Sequence, residues 1–396
     1  MATDRLIRWA VAMSLGVLMV SAACSSNGSG DTAAPTRTVG VDARTPRFNG
    51  AFLAYFPNQV AVHPGDTVAF RSVYNGEPHT VTMGTLVDKA LAAAKASDPK
   101  GPPPAEFATL PVLTPQTSGG DIHQNAANPC FLAAGSPPSD VENRPCAQVA
   151  QPAFDGTQTY YSSGFLPPGA VFRVKVAPAT KPGTYSFYCS LHGPRMSGSI
   201  VVKPKGTSTP SSTDVNRQGR AQLDATVAKL ARADAEAKAG RARLPGNLAG
   251  LDLPDVPGAF ISQYYPATIR TGVGQKVMWT FIGVHTVSFG VPGDADAVFV
   301  SPAGGGLRIN PKAALPAGGP GEESLPEPAT PAPAEAAPQM IDGGTYDGSG
   351  FKSSGVVESF PDPGLVGYSL TFTKAGTYPY LCTIHPGMGG VVIAAG

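Results

Sequence analysis

A chain of 396 residues with 42% hydrophobic content is long enough for two or three cored domains. Its formal net charge of +1 and charged fraction of 14% give no electrostatic reason to expect a nucleic acid or an acidic partner. Glycine (47) and proline (41) together argue against a mainly helical protein and for short strands, turns and long irregular insertions.

At the N-terminus, Arg5 and Arg8 precede the apolar run Trp9 to Val20, and Ser21-Ala22-Ala23-Cys24 follows. Residues 1–24 therefore read as a secretory signal, with an apolar run shorter than the about 20 residues of a membrane-spanning helix. The small residues before Cys24 resemble a bacterial lipoprotein signal, in which that cysteine becomes the lipidated first residue. Ser21 stands where that pattern usually carries leucine, and cleavage by an ordinary signal peptidase is the alternative. Residues 25–46 read as a flexible tether.

A first domain is expected over residues 47–205. Phe52 to Val62 and Thr67 to Val73 read as strands joined by the turn His63-Pro64-Gly65-Asp66, in which His63 reads as a surface residue. Leu86 to Ala96 looks helical, and the insertion after it holds His123, Cys130 and Cys146. Strand character resumes at Ala170 to Val176 and at Ser199 to Val202. In the linker, residues 206–256, apolar Leu223, Val227, Leu230, Ala233 and Ala237 recur at helical spacing, which predicts an amphipathic helix serving as a spacer packed against one domain.

The second domain, residues 257–396, repeats the order of the first. Phe260 to Ile269 answers Phe52 to Val62, Lys276 to Phe281 answers Thr67 to Val73, and Thr345 to Phe351 answers Thr159 to Phe165. Pro316 to Pro338 reads as a disordered or extended surface insertion.

The repeat carries chemistry. Gly183 to Cys189 ends on a cysteine, with His192 three residues on and Met196 shortly after; Gly376 to Met388 repeats this with Cys382, His385 and Met388. A second imidazole is offered by His79-Thr80-Val81-Thr82-Met83-Gly84 and by its near copy His285-Thr286-Val287-Ser288-Phe289-Gly290. Two imidazoles and a thiolate with a weak thioether are the ligand set of a blue-copper site. Cys-x-x-His by itself is equally compatible with zinc. The five cysteines then divide without remainder: Cys24 to lipid, Cys189 and Cys382 to metal, and Cys130 with Cys146 either as a disulfide or as two unlinked thiols.

On these motifs both halves resemble the cupredoxins, blue-copper domains of the plastocyanin and amicyanin type. The resemblance implies an all-β chain of two Greek-key β-sandwiches with long insertions, joined by a helical linker. It implies copper at His79, Cys189, His192 and Met196, and a second copper at His285, Cys382, His385 and Met388. It further implies outer-sphere electron transfer through partly exposed His192 and His385, with Leu191 and Pro194, or Ile384 and Pro386, as an apolar docking rim. The expected setting is extracytoplasmic, on the outer face of the membrane through lipid on Cys24 or else secreted, with redox proteins as partners. Copper storage or delivery is the alternative, and after it a two-domain copper oxidoreductase. The last is disfavoured because no His-x-His pair occurs and only His63 and His123 remain once the ligands are assigned.

Overall fold

Along Thr36–Val41 buried and partly exposed positions alternate, so Arg37, Val39 and Val41 face inward as a strand of period two requires. This is the computed structural model of the chain, and it describes residues 34–97, 104–106, 152–241, 244, 246–300, 308–319, 339–358 and 365–396. Residues 1–24, expected to form a secretory signal and including Cys24, lie outside the described residues, as do His123, Cys130 and Cys146.

The first half is a sandwich of two sheets. One runs in the order Tyr55–Phe56, Thr36–Val41, Thr67–Ser72, Val171–Lys175, and the other Gln59–Val62, Gly193–Val202, Gly183–Cys189, Thr82–Met83, Tyr161–Ser162. Val39, Phe70 and Val174 from one sheet meet Val60, Phe187 and Ile200 from the other in a shared core. In the second half the sheets are Gly50–Phe52, Ala259–Tyr265, Asn247–Asp252, Lys276–Phe281, Leu365–Phe372, Gln339–Tyr346, and Thr268–Gly272, Gly389–Ala395, Gly376–Leu381, Ser288–Phe289, Lys352–Ser354, Pro316–Ala317. Trp279, Tyr368 and Phe372 pack there against Phe289, Tyr380 and Val392.

The pairings repeat between halves. Thr36–Val41 runs parallel to Thr67–Ser72 as Asn247–Asp252 does to Lys276–Phe281, and Gln59–Val62 runs parallel to Gly193–Val202 as Thr268–Gly272 does to Gly389–Ala395. Each half is thus a β-sandwich of two mixed sheets whose pairings recur in the same order.

Several expectations are corrected. The tether expected over residues 25–46 contains the ladder strand Thr36–Val41, and buried Arg37 anchors it to Asp66 (3.1 Å), the Thr209 hydroxyl and the Pro210 carbonyl. An arginine in a short, polar-looking strand masked the alternation. The expected linker likewise contains the sheet strand Asn247–Asp252. Strands expected to run through Phe52 to Val62 and Phe260 to Ile269 are interrupted at Pro57 and Pro266, where the chain leaves one sheet for the other; proline supplies no ladder N–H. Within the insertion expected to be disordered or extended, Pro316–Ala317 is extended and pairs with Lys352–Ser354. The repeat also has a different register: Tyr161 and Ser162 pair with the strand after His79 as Lys352 and Ser353 pair with the strand after His285. The partner of Ser162-Ser163-Gly164 is Ser353-Ser354-Gly355, so Thr345 to Phe351 is a chance likeness.

The helix is present as Ser212–Lys238, opened by a capping box between Ser211 and Asp214. It is not confined to one domain. Val215 enters the first core, while Val227, Leu230, Ala231 and Ala237 join a mixed core containing Phe48 and Phe52 of the first half and Leu248, Ile261 and Tyr265 of the second. Buried Asp234, on the packed face, accepts the Tyr265 hydroxyl at 2.7 Å and pairs with Lys238. Gly50–Phe52 completes the tie between halves by pairing antiparallel with Ala259–Tyr265 as the edge strand of the second half's sheet.

Candidate metal centres

The Thr-x-Thr and Thr-x-Ser patterns after each upstream histidine place two kinds of side chain on opposite faces. Val81 and Met83, and likewise Val287 and Phe289, enter the cores. Thr80 and Thr82 turn the other way and bond each other at 3.0 Å, and Ser288 bonds Thr286 at 3.2 Å. These hydroxyls receive the Cys loops: Ser190 N–H donates to Thr80 Oγ1 at 2.9 Å, and Thr383 N–H to Thr286 Oγ1 at 2.8 Å. Ser162 and Ser353 extend the ladders by bonds of 2.9 Å to Thr82 and Ser288. Each cysteine loop is therefore held against the strand carrying the second imidazole.

Two clusters result, His79 with Cys189 and His192, and His285 with Cys382 and His385; within each, one nitrogen or sulfur per residue lies within 4.8 Å of the others. The Nδ1 atoms of His79 and His192 are 3.2 Å apart, those of His285 and His385 3.1 Å, and Cys382 Sγ is 3.6 Å from His385 Nδ1. Nitrogens at such separations suit one shared ion with bonds of about 2 Å. The backbone N–H of Thr80 donates to Cys189 Sγ at 3.3 Å and that of Thr286 to Cys382 Sγ at 3.4 Å. The donor set, two imidazoles and a thiolate, is one that copper and zinc both accept.

Met196 and Met388 are buried in the same two cores as their cysteines. Met388 is fixed by its backbone, which accepts Cys382 N–H at 3.0 Å and donates to His385 O at 3.1 Å. The longer spacing to Met196 is taken up where the pairing of Gly193–Val202 with Gly183–Cys189 shifts register, between Gly193 and Ser197. His63 is no part of either cluster; partly buried, it meets the Thr207 carbonyl at 2.8 Å.

With Nδ1 turned inward, each Nε2 points at an outer partner, the arrangement that fixes tautomer and ring orientation in metal sites. His79 faces Asp42 (3.4 Å), His192 faces Glu77 (3.0 Å), His385 faces Glu77 (3.1 Å) and His285 faces the Ile282 carbonyl (2.9 Å). Asp42 is itself held by the N–H groups of Ala43 and Phe52 and by Asn75. Sequence reasoning missed both carboxylates. Asp42 lay in the expected tether, and Glu77 precedes a ligand by two residues without a counterpart in the second half.

The electrostatics follow from these partners. Burial disfavours charge throughout, yet the neighbouring imidazoles hold both cysteine thiols well below their ordinary range, so the sulfurs are poised as thiolates. Against burial, Cys189 and Glu77 push His192 up to about 10, and Cys382 and Glu77 push His385 up to about 9. His285, with a neutral carbonyl partner, is held down by burial. Burial works against Glu77 too, but its two imidazole partners hold it well below the usual carboxylate range.

The expectation that both downstream histidines reach the surface is half corrected. The His192 side chain is 12% exposed, but that of His385 is only 1% exposed. Ile384 is buried as well and Leu191 packs against both cores, which leaves Pro194 and Pro386 as the exposed parts of the expected rim.

No protein-family model matches the chain, and no curated protein matches it. Among solved structures it is similar to dithionite-reduced auracyanin from the photosynthetic bacterium Roseiflexus castenholzii, with 20% identity over 43% of this chain and 99% of that one and a TM-score of 0.21. Auracyanin A, a blue copper protein of the green thermophilic photosynthetic bacterium Chloroflexus aurantiacus, matches at 20% identity over 42% and 98% of the two chains, with a TM-score of 0.22. An oxidized mutant of amicyanin matches at 12% identity over 44% and 95%, with a TM-score of 0.20.

Proposed function

We propose that this chain, built of two cupredoxin-like sandwiches, holds one copper in each Cys/His cluster and carries single electrons outside the cytoplasm, tethered to the membrane through lipid on Cys24. The observation that carries the reading is the pair of buried two-imidazole, one-thiolate clusters with every outward imidazole nitrogen already engaged. Copper in such a set supplies a one-electron Cu(I)/Cu(II) couple.

The chain's own residues do the rest. Cys189 with His79 and His192, and Cys382 with His285 and His385, hold their donor atoms on a rigid scaffold, so little rearrangement accompanies a change of charge. Met196 and Met388, buried in the same cores as the cysteines, would offer each copper a thioether sulfur. Thr80 and Thr286 direct a backbone N–H at each sulfur, which tempers its basicity and so tunes the potential. The apolar walls keep bulk water from the sulfur.

An electron carrier fits better than a copper oxidoreductase, since two metal-type clusters are found among the described residues and they use four of the six histidines. The test is copper titration of protein lacking residues 1–24, followed by visible absorption. An intense thiolate-to-copper band should saturate at two coppers per chain and at one in Cys189→Ser or Cys382→Ser. Colourless binding, or none, sinks the reading; a blue form that cannot be reversibly reduced leaves storage or delivery.

A further inference from the structure

One carboxylate touches both clusters. Glu77 accepts the His192 Nε2–H on Oε2 at 3.0 Å and the His385 Nε2–H on Oε1 at 3.1 Å, although His385 is 308 residues away in the sequence. Its side chain is only 6% exposed. The segment that carries it caps the second site: Gly76 has φ +110° and lies so close to the second loop that a Cβ there would overlap the Ile384 carbonyl oxygen. Nearby, Asn49 Nδ2 bonds the Pro386 carbonyl at 3.0 Å and the Ser262 carbonyl at 3.2 Å. Phe260 closes another side, with its ring edge-on to His285 and His385 at 5.7 and 5.6 Å. The imidazole edge that would otherwise serve the second site thus faces the first half, whereas His192 keeps an exposed edge.

We infer that Glu77 couples the two metal sites, and that the second site exchanges electrons with the solution by way of the first, along the hydrogen-bonded path His385–Glu77–His192. The inference rests on the copper reading for its redox part only. In the internal step one electron leaves Cu(I) in one half and reduces Cu(II) in the other; each Nε2–H stays on its ring, and no proton or further reactant is needed. Because the carboxylate is shared, a change of charge or ring position at one site is felt at the other.

Two experiments on the full chain without residues 1–24 test this, with Glu77→Gln and Glu77→Ala as variants. The first needs no copper. In Zn(II) titrations of Cys382→Ser, whose first site is intact, the Nε2–H resonance of His385 should shift as the first site fills, and this response should vanish in Cys382→Ser combined with Glu77→Ala. An unmoved His385 resonance, or a shift that persists without Glu77, overturns the coupling. The second uses copper-loaded protein, with Glu77→Gln matched to the parent in copper content and blue absorbance and Cys189→Ser loaded at its second site alone. After pulse reduction, internal exchange should slow at least tenfold in Glu77→Gln, and in Cys189→Ser a bulky external donor should reduce the second site at least tenfold more slowly than in the parent. Unchanged rates overturn the shared route while leaving the electron-carrier reading standing; failure of copper to give a blue band strikes that reading alone, and the zinc experiment still decides the coupling.

Discussion

Asp42 and His79 meet at 3.4 Å in a fully buried contact, and the corresponding imidazole of the second half, His285, meets a neutral carbonyl at Ile282 instead. The two sites are therefore unequal. The first has a carboxylate partner that the second lacks, and the second has the Phe260 ring against both of its imidazoles.

Negative charge near a metal favours its more oxidised form, so the first site should have the lower potential and the second should hold the electron at equilibrium. Asp42→Asn removes that charge while keeping the shape. The potential of the first site should rise, on the order of 100 mV for a unit charge several ångströms away at an effective dielectric of about 20, and the second should shift by a smaller amount. Spectroelectrochemical titration measures both; equal shifts, or none, would count against the asymmetry.

The hydroxyl ladders predict a stability effect at both sites. Thr80→Val removes the acceptor of Ser190 N–H, and Thr286→Val that of Thr383 N–H, all in buried positions. Leaving a buried donor unsatisfied costs roughly 1–3 kcal/mol, to be read as a lower denaturant midpoint in the metal-free protein. The cysteine loop should loosen with it, seen as faster copper release.

Leu230 is fully buried in the core shared by the helix and both halves. Leu230→Ala should cost about 2–5 kcal/mol through lost burial and the cavity left behind. Since that core contains Phe52 of one half and Ile261 of the other, both sandwiches should unfold at a lower midpoint together; a single transition affected in one half alone would disprove the shared core.

Gly76→Ala tests the cap over the second site. The new side chain meets both an unfavourable φ and the Ile384 carbonyl, so the Tyr74–Glu77 segment should move away at a cost of about 1–3 kcal/mol. His385 should become accessible, and a bulky external donor should then reduce the second site without help from the first. Unchanged access would mean that the cap lies elsewhere.

Much of each centre was legible because its parts are local. Cys189 and His192, like Cys382 and His385, are three residues apart on one loop, and the alternation after His79 and His285 follows from the strand's period of two. The duplicated order made each ambiguous motif informative, since the same weak pattern occurs twice. What failed at this level was register: Thr345 to Phe351 looked like the counterpart of Thr159 to Phe165, but ladder pairing assigns that place to the segment holding Ser353 and Ser354.

The amino-acid sequence by itself determined the two sandwiches and the donor atoms of their clusters, because strand period and loop spacing are short-range properties of the chain. Only the tertiary structure decided what surrounds those donors. Asp42 reaches His79 through a strand mistaken for a tether, and Glu77 finds His385 across 308 residues. Nothing in a carboxylate's sequence neighbours reveals such a partner; the packing of the two halves on Phe52, Leu230 and Ile261 does, by burying one charge between two imidazoles that must satisfy it.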